Sequence, residues 1–423
     1  MSPTLCDQFS TKLLSAHDAE KTQFTGGIED SQLTATSSAA DTWIAASRHE
    51  LRSSRPISIP TETVYGLAAN ALDAGAVSAI FRAKGRPSDN PLIVHVSSMR
   101  MLRALYHLPA ASADTPFLGT EALEGAWLRG QMAAAEREDR LRGGDGVWPE
   151  IPRVYHSAIR SFWPGALTIV LPRPACIPLE VLGGHGSTVA VRFPSHPVAR
   201  AIIAACGLPL AAPSANASGR PSPTTAAHVS HDLGGRIPLI IDGGACAVGV
   251  ESTVVDAFSP TAHVDGLLSP CVLRPGGVTV EALRSLGGVW GEALRVYKRD
   301  FHSTQLESMP TTPGMKYRHY SPSAPVYLCK SAGAVQRTLD GMENAKIGVI
   351  AGSTDSLCAQ ESCMLVVHEV GDARDLAKRI FALLRELDET EHVDCIVVEG
   401  VDDDNEGLAV MNRLEKAASH IVS

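Results

Sequence analysis

Lys84 and Arg86 flank Gly85 in AIFRAKGRPSDNPLIVHV, between a helix-like segment and an apolar run. A guanidinium is a rigid fork that grips a phosphate or carboxylate at two points, and a lysine adds a mobile point charge. Two more arginines adjoin small-residue loops, Arg192 at the end of TVAVR and Arg274 in VLRPGG. The loops are rich in hydroxyls and glycine: PTETVYGL holds Thr63, APSANASGRPSPT holds Ser214 and Ser222, and DGGACAVGVEST holds Ser252. A later proline-punctuated stretch adds Lys316, Arg318, His319 and Tyr320. Cations beside hydroxyls and backbone donors suit a phosphorylated ligand. Each element also has a plainer reading. Lys84 and Arg86 fit a helix C-terminus that favours cations, and Arg192 fits a surface ion pair. His95 fits a hydrogen-bonded core histidine, PSAN a turn, HVSH at 228–231 an exposed helix face, and RPGG turn glycines needing positive φ.

The 423 residues carry 37 Lys and Arg against 46 Asp and Glu, a formal charge of -9. That balance argues against coating nucleic acid or an anionic membrane through the overall field, so an anion site has to be local. No Gly-Lys dipeptide occurs, which excludes a Walker A loop, and GxGxxG, GxSxG and HExxH are missing too. Nine cysteines without a CxxC pair read as reduced thiols, with no resident metal site. The beginning lacks the apolar run of a signal peptide, and its early acidic residues speak against a transit sequence. No segment has the ~18 uninterrupted apolar residues of a membrane span. The expected location is the cytoplasm.

These residues are positioned by an alternation of helical periods and short β-branched runs, the pattern of an α/β layer architecture. Residues 1–40 are polar and aperiodic, and a flexible leader is expected there. Residues 41–296 form the first domain, interrupted at about 109–152 by a charged surface insertion. Residues 297–324 read as a linker, and 325–423 as a smaller α/β domain with helices near 333–342, 372–389 and 407–420.

Taken in order, PTETVYGL, KGRPSDNPLIVHV, FWPGALTIV, VAVRFPSHPVA, APSANASGRPSPT, IIDGG, GVESTVVD and LRPGGVT resemble the YrdC-type domain of the threonylcarbamoyl-AMP synthase family. GMKYRHYSP and EGLAVMNRLEKAAS resemble the linker and second domain of its two-domain form. The resemblance covers about 41–108, 153–297 and most of 310–423; the leader and the insertion depart from it. It implies a twisted open sheet around a basic cavity, plus a Rossmann-like C-terminal domain. It implies a nucleotidyltransferase that joins L-threonine, bicarbonate and ATP into threonylcarbamoyl-adenylate and pyrophosphate. The product would pass to a tRNA threonylcarbamoyl transferase complex that modifies adenosine 37 of tRNAs reading ANN codons.

Carried onto this chain, the resemblance gives threonine to Thr63, His95, Arg192, Ala212 and Ser252. It gives ATP to Arg86, Asn90, Thr188, Ser214, Ser222, Arg274 and Tyr320, with Lys84 and Arg86 as the catalytic cations near the phosphates. Mg²⁺ would arrive on the ATP phosphates. The linker, with Gly314 as hinge, would act as a lid. Two rivals remain: an RNA-binding or ribosome-maturation factor using the same basic concavity, and a carbamoyl-adenylate-forming maturation enzyme, whose extra zinc-finger and acylphosphatase-like segments the chain lacks.

Overall fold

The computed structural model describes residues 9–19, 22–25, 27–35, 38–108, 148, 150–308, 310–313, 319–354 and 357–423. Most of the expected insertion, and Gly314, Lys316 and Arg318 of the linker, lie outside that set. Short apolar runs such as Ile57–Ile59, Ile93–His95 and Leu167–Pro172 become strands of a single large sheet, as their β-branched composition dictates. Eleven strands form it, with mixed parallel and antiparallel pairing.

Register across the middle of this sheet does the positioning. Thr188–Arg192 runs parallel to Ile93–His95, which sets Arg192 opposite His95. On its other side it runs antiparallel to Leu167–Pro172, which sets Arg192 opposite Thr168. Thr168 is in turn paired with Val254, and Val254 with Arg274. One row across five strands therefore brings His95, Arg192, Thr168 and Arg274 together from positions far apart in the chain. Helix packing completes the layer. The helix Ala74–Lys84 starts where Asp73 Oδ1 accepts from the Gly75 and Ala76 N–H groups at 2.8 and 3.2 Å. It stops at Gly85, whose φ of +62° is a left-handed conformation that only glycine adopts without strain.

The expected flexible leader does not hold for the described residues before 41. Lys12–Ser15 adds a parallel edge strand to the sheet by pairing with Leu239–Asp242, and Gln23–Thr25 pairs with Gln32–Ala35. An edge strand draws its stability from backbone hydrogen bonds, such as Lys12 N–H to Pro238 O at 2.9 Å, so it leaves little apolar pattern to read. Gly66–Asn70 is another strand that composition hides, because glycine and alanine dominate it.

The second domain is a five-stranded parallel sheet in the order Met364–Glu369, Lys346–Ala351, Cys395–Glu399, Val326–Cys329, His420–Val422. Its last helix ends at Ala417, short of the expected 420, because His420–Val422 is drawn into the sheet edge. Helices Ala373–Arg385 and Asn405–Ala417 face the first domain. Val64 and Val250 of that domain share an apolar cluster with Phe381, Leu384 and Val410. Two buried ion pairs cross the same seam: Arg385 to Asp232 at 2.7 Å and Arg413 to Glu251 at 2.9 Å. No helix among the described residues is long and apolar enough to cross a membrane.

Arg385 and Asp232 are each almost fully buried, so removing the guanidinium takes two charged hydrogen bonds from a buried carboxylate and leaves it the more distant Arg220 and His231 and the Ala217 N–H. Arg385→Ala should cost about 3 kcal/mol, read as a lower midpoint in urea unfolding; an unchanged midpoint would show that the pair does not hold the seam.

Candidate active site

Lys84 is the last residue of its helix but is not a solvated helix end. It is 3% exposed, and its Nζ donates to the backbone carbonyls of Ser214 and Asn216 at 2.5 Å each. Burial first, then the neighbouring Arg86, pushes its pKa well below that of a free lysine. Arg86 donates to the carbonyls of Asn90 and Pro91 at 3.3 and 3.1 Å. The Ser214 hydroxyl donates to Asn216 Oδ1 at 2.5 Å, and the Asn216 amide donates to the carbonyls of Ala217 and Arg220. The segment APSANASGR is thus tied down as the bed beneath the Lys84 amine.

Arg192 sits at the centre of the row. Its Nη1 donates to Thr63 Oγ1 at 2.8 Å, its Nε to the Gly165 carbonyl at 3.2 Å, and its Nη2 to Glu62 Oε1 at 2.6 Å. Glu62 also accepts from the Ser195 and His196 N–H groups. Burial alone would raise the Glu62 pKa, but Arg192 and these hydrogen bonds outweigh it and keep the carboxyl below its ordinary range. Arg192 is therefore not a surface ion pair: at 4% exposure it is oriented from below and keeps N–H groups for a further acceptor. His95 beside it is held by Ile93 O at 3.1 Å, and burial followed by Arg192 pushes its pKa down to about 3, so it is neutral.

Arg274 donates from Nε and Nη2 to the Ser252 carbonyl and from Nη2 to the Ser252 hydroxyl, at 3.2, 2.9 and 3.1 Å. Ser252 Oγ lies 2.7 Å from Thr168 Oγ1, which links this corner to the central row. The glycines of RPGG serve close approach rather than positive φ. A Cβ on Gly276 would fall 2.3 Å from the Glu251 carbonyl, and one on Gly277 would fall 2.8 Å from Val248 Cγ1. Glu251 accepts from Ser222 Oγ at 2.6 Å and from Arg413 Nε at 2.9 Å.

These groups enclose one cavity. Thr63, Lys84, Arg86, His95 and Arg192 line it together with Ala212, Ser214, Ser252, Arg274 and Tyr320, ten of the residues singled out from sequence. Its free volume is only about 60 Å³, and His319 and Tyr320 form part of its wall. Tyr320, with φ +66°, packs its ring 5.2 Å from that of Phe381, and burial raises its pKa to about 12. Burial, then Arg86 and Lys416, pushes the His319 pKa down to about 3. The hinge residue expected at 314 is outside the described set, but His319 and Tyr320 of the expected lid line the cavity.

Three expected contacts fall elsewhere. Ser222 is fully buried and is turned to Glu251, and Asn90 is buried with Oδ1 lacking a partner; neither lines the cavity. Thr188 lines an adjoining cleft of about 160 Å³ with Pro91, His185 and Phe258. Arg86, which lines the main cavity, donates to the carbonyl of Pro91, which lines this second cleft. Glu62, Glu251 and Asn216 were not picked out, nor were Arg413 and Lys416 of the second domain. The only available signals were the acidic residues inside PTETVYGL and GVEST, which without coordinates look like loop carboxylates.

Glu251 is the one carboxylate lining the cavity, and both its oxygens are engaged. The described cavity residues thus offer no vacant carboxylate to a resident cation. Elsewhere His231, Asp232 and Glu389 come close together, but Arg385 and Arg220 already bind those carboxylates. Burial alone would raise the Glu251 pKa; Arg413, Arg274 and the Ser222 hydroxyl overcome this and bring it to about 2, against an ordinary 4.5. A depressed carboxyl stabilises the fold above its unfolded pKa and loses that contribution as pH falls through the folded one. Urea midpoints should therefore drop between about pH 4.5 and pH 2, and Glu251→Gln should flatten that acid limb. An identical limb in the variant would remove Glu251 as its source.

Residues 278–419 match the family described as "Threonylcarbamoyl-AMP synthase, C-terminal domain", and residues 49–117 and 145–276 match the one described as "Telomere recombination". A threonylcarbamoyl-AMP synthase of Schizosaccharomyces pombe is 43% identical over 86% of this chain and 85% of its own. One of Bacillus subtilis is 37% identical over 89% of this chain and 93% of its own. The solved structure of P. abyssi Sua5 complexed with L-threonine is similar at a TM-score of 0.70 and 33% identity, covering 97% of this chain and 99% of that one. With cavity, sheet order and second domain in place, the chain belongs to the threonylcarbamoyl-AMP synthase family, in its two-domain form.

Proposed function

We propose that this chain condenses L-threonine, bicarbonate and ATP into threonylcarbamoyl-AMP, releasing pyrophosphate, as a nucleotidyltransferase. The observation that carries the reading is the gathering of Lys84, Arg86, Arg192 and Arg274 with the Thr63, Ser214 and Ser252 hydroxyls around one cavity. The threonine amine attacks bicarbonate, losing water, and the resulting carbamate oxygen displaces pyrophosphate from the α-phosphorus. Because the substrate supplies its own nucleophile, the protein needs no activated serine or cysteine. Its work is alignment and neutralisation of growing negative charge.

Arg192, steadied by Glu62, takes the threonine carboxylate, and Thr63, His95, Ala212 and Ser252 complete that pocket. Lys84, Arg86 and Arg274 face the phosphates, with Ser214 beside them. The nucleoside end extends toward Thr188, the expected ATP contact that lines the second cleft rather than the main cavity, and Asn90 and Ser222 act from beneath. A Mg²⁺ ion would come with the nucleotide substrate, since the described cavity residues offer it no vacant carboxylate, and would supply charge neutralisation beside Lys84, Arg86 and Arg274. Since about 60 Å³ is far below the ~300 Å³ of a small-molecule site, His319 and Tyr320 must move aside on binding and close again over the nucleotide. The product then passes to a tRNA threonylcarbamoyl transferase complex for adenosine 37.

Purified chain should release pyrophosphate from ATP only when both threonine and bicarbonate are supplied. Salt-sensitive RNA binding with no threonine-dependent release would favour the RNA-binding reading instead. Arg192→Lys keeps a charge for Glu62 but loses the planar fork. It should raise the threonine KM at least about tenfold while leaving the ATP KM nearly unchanged, and equal rises in both would refute the carboxylate role.

A further inference from the structure

Glu251 is a carboxylate on the wall of a cavity proposed to receive a triphosphate. It is 6% exposed and ionised, so on its own it would repel that ligand. At an effective dielectric of about 20, a like charge some 6 Å away weakens binding on the order of a hundredfold. Within the first domain the carboxylate accepts from the Ser222 hydroxyl and its own backbone N–H, and it feels the charge of Arg274 without an ion pair to it. The cation that binds it comes from the second domain. Arg413, on the helix Asn405–Ala417, is 1% exposed and reaches across the seam to Glu251 Oε2. Its Nη1 donates to the Pro275 carbonyl of RPGG, and its guanidinium carbon lies 5.8 Å from the centroid of the Tyr320 ring. Among the described residues, Arg413 does not line the cavity and its Nη2 has no hydrogen-bond partner.

We propose that Arg413 is a positioning residue: it cancels the charge of Glu251 and pins that carboxylate to the domain seam, so that the second domain makes the nucleotide site of the first domain tolerant of a polyanion. The proposal rests on the reading that the cavity takes ATP. It gives the C-terminal domain an electrostatic task in the reaction, exerted through Glu251 rather than by touching substrate. The pair also explains why RPGG is held so close to Glu251: Pro275 and Glu251 are two ends of one guanidinium's grip.

The test uses the full chain with Arg413→Met, Glu251→Gln and the double variant, with ATP and threonine binding measured separately by calorimetry. Arg413→Met should weaken ATP binding about 10- to 100-fold and leave threonine binding unchanged. Glu251→Gln, with Arg413 now unopposed, should tighten ATP binding. The double variant should return ATP affinity to within about threefold of the parent, because no charge remains to cancel. A mere fastener or a direct phosphate ligand would not be rescued in this way. If the double variant binds ATP as weakly as Arg413→Met, or if Arg413→Met binds ATP normally, the proposal is overturned. Should Arg413→Met fail to fold, the double variant alone decides: ATP affinity near the parent supports the role, and lost affinity in a folded chain ends it. A parent chain that binds no ATP overturns the underlying reading of the cavity instead.

Discussion

Burying positive charge is the constraint around which this molecule is arranged. A cation taken out of water needs either a carboxylate or a set of well-placed dipoles, and both solutions occur here, with different consequences. Arg385 and Arg413 are matched with carboxylates and their charge is largely spent inside the fold, whereas Arg192, matched with Glu62, keeps N–H groups toward the cavity. Lys84 and Arg274 are held by backbone carbonyls, the Asn216 side chain and a serine hydroxyl, with no carboxylate at ion-pair distance among the described residues. Dipoles hold a cation in place without cancelling it. The residual charge faces the cavity. A chain with net charge -9 can thus present a strongly cationic interior.

The seam between the domains follows from the same constraint. An apolar cluster running from Val64 and Val250 to Phe381 and Leu384 supplies attraction but little direction. The pairs Arg385–Asp232 and Arg413–Glu251 add direction, since a guanidinium fork accepts a carboxylate in few geometries. Arg220 extends this network by meeting Glu389, and Asp388 accepts the N–H groups of Ser323 and Ala324 where the linker enters the second domain. The orientation of the second domain is therefore specified close to the cavity.

Much of this was legible in the chain. Strands such as TVAVR and helices such as AGAVSAIFRAK announce themselves through period and caps, and basic residues beside hydroxyl-rich loops pointed to a common anion site. What sequence could not supply was the identity of partners. Glu62 and Arg192 are 130 residues apart, and Arg413 and Glu251 are 162 apart, so pairing between them leaves no local mark. Lys84 shows the limit most clearly. A lysine ending a helix is ordinarily solvated, and only the fold of APSANASGR beneath it makes it a buried donor. Ser222 and Thr188 show the converse, since the loop hydroxyl faces a carboxylate and the strand hydroxyl lines a second cleft. RPGG kept its glycines for packing against Glu251, a reason that no turn rule contains.

The pairing of Lys12–Ser15 with Leu239–Asp242 has a practical corollary. Those few residues cap one flank of the large sheet, upstream of the stretch matched to the family at residue 49. Trimming the polypeptide to the conventional domain limits would strip the capping ribbon and leave the apolar run at 239–241 with unpaired main-chain groups. Such a flank templates addition of another chain's strand. Solubility of a shortened protein would then be governed by four inconspicuous N-terminal positions, none of which lines the cavity.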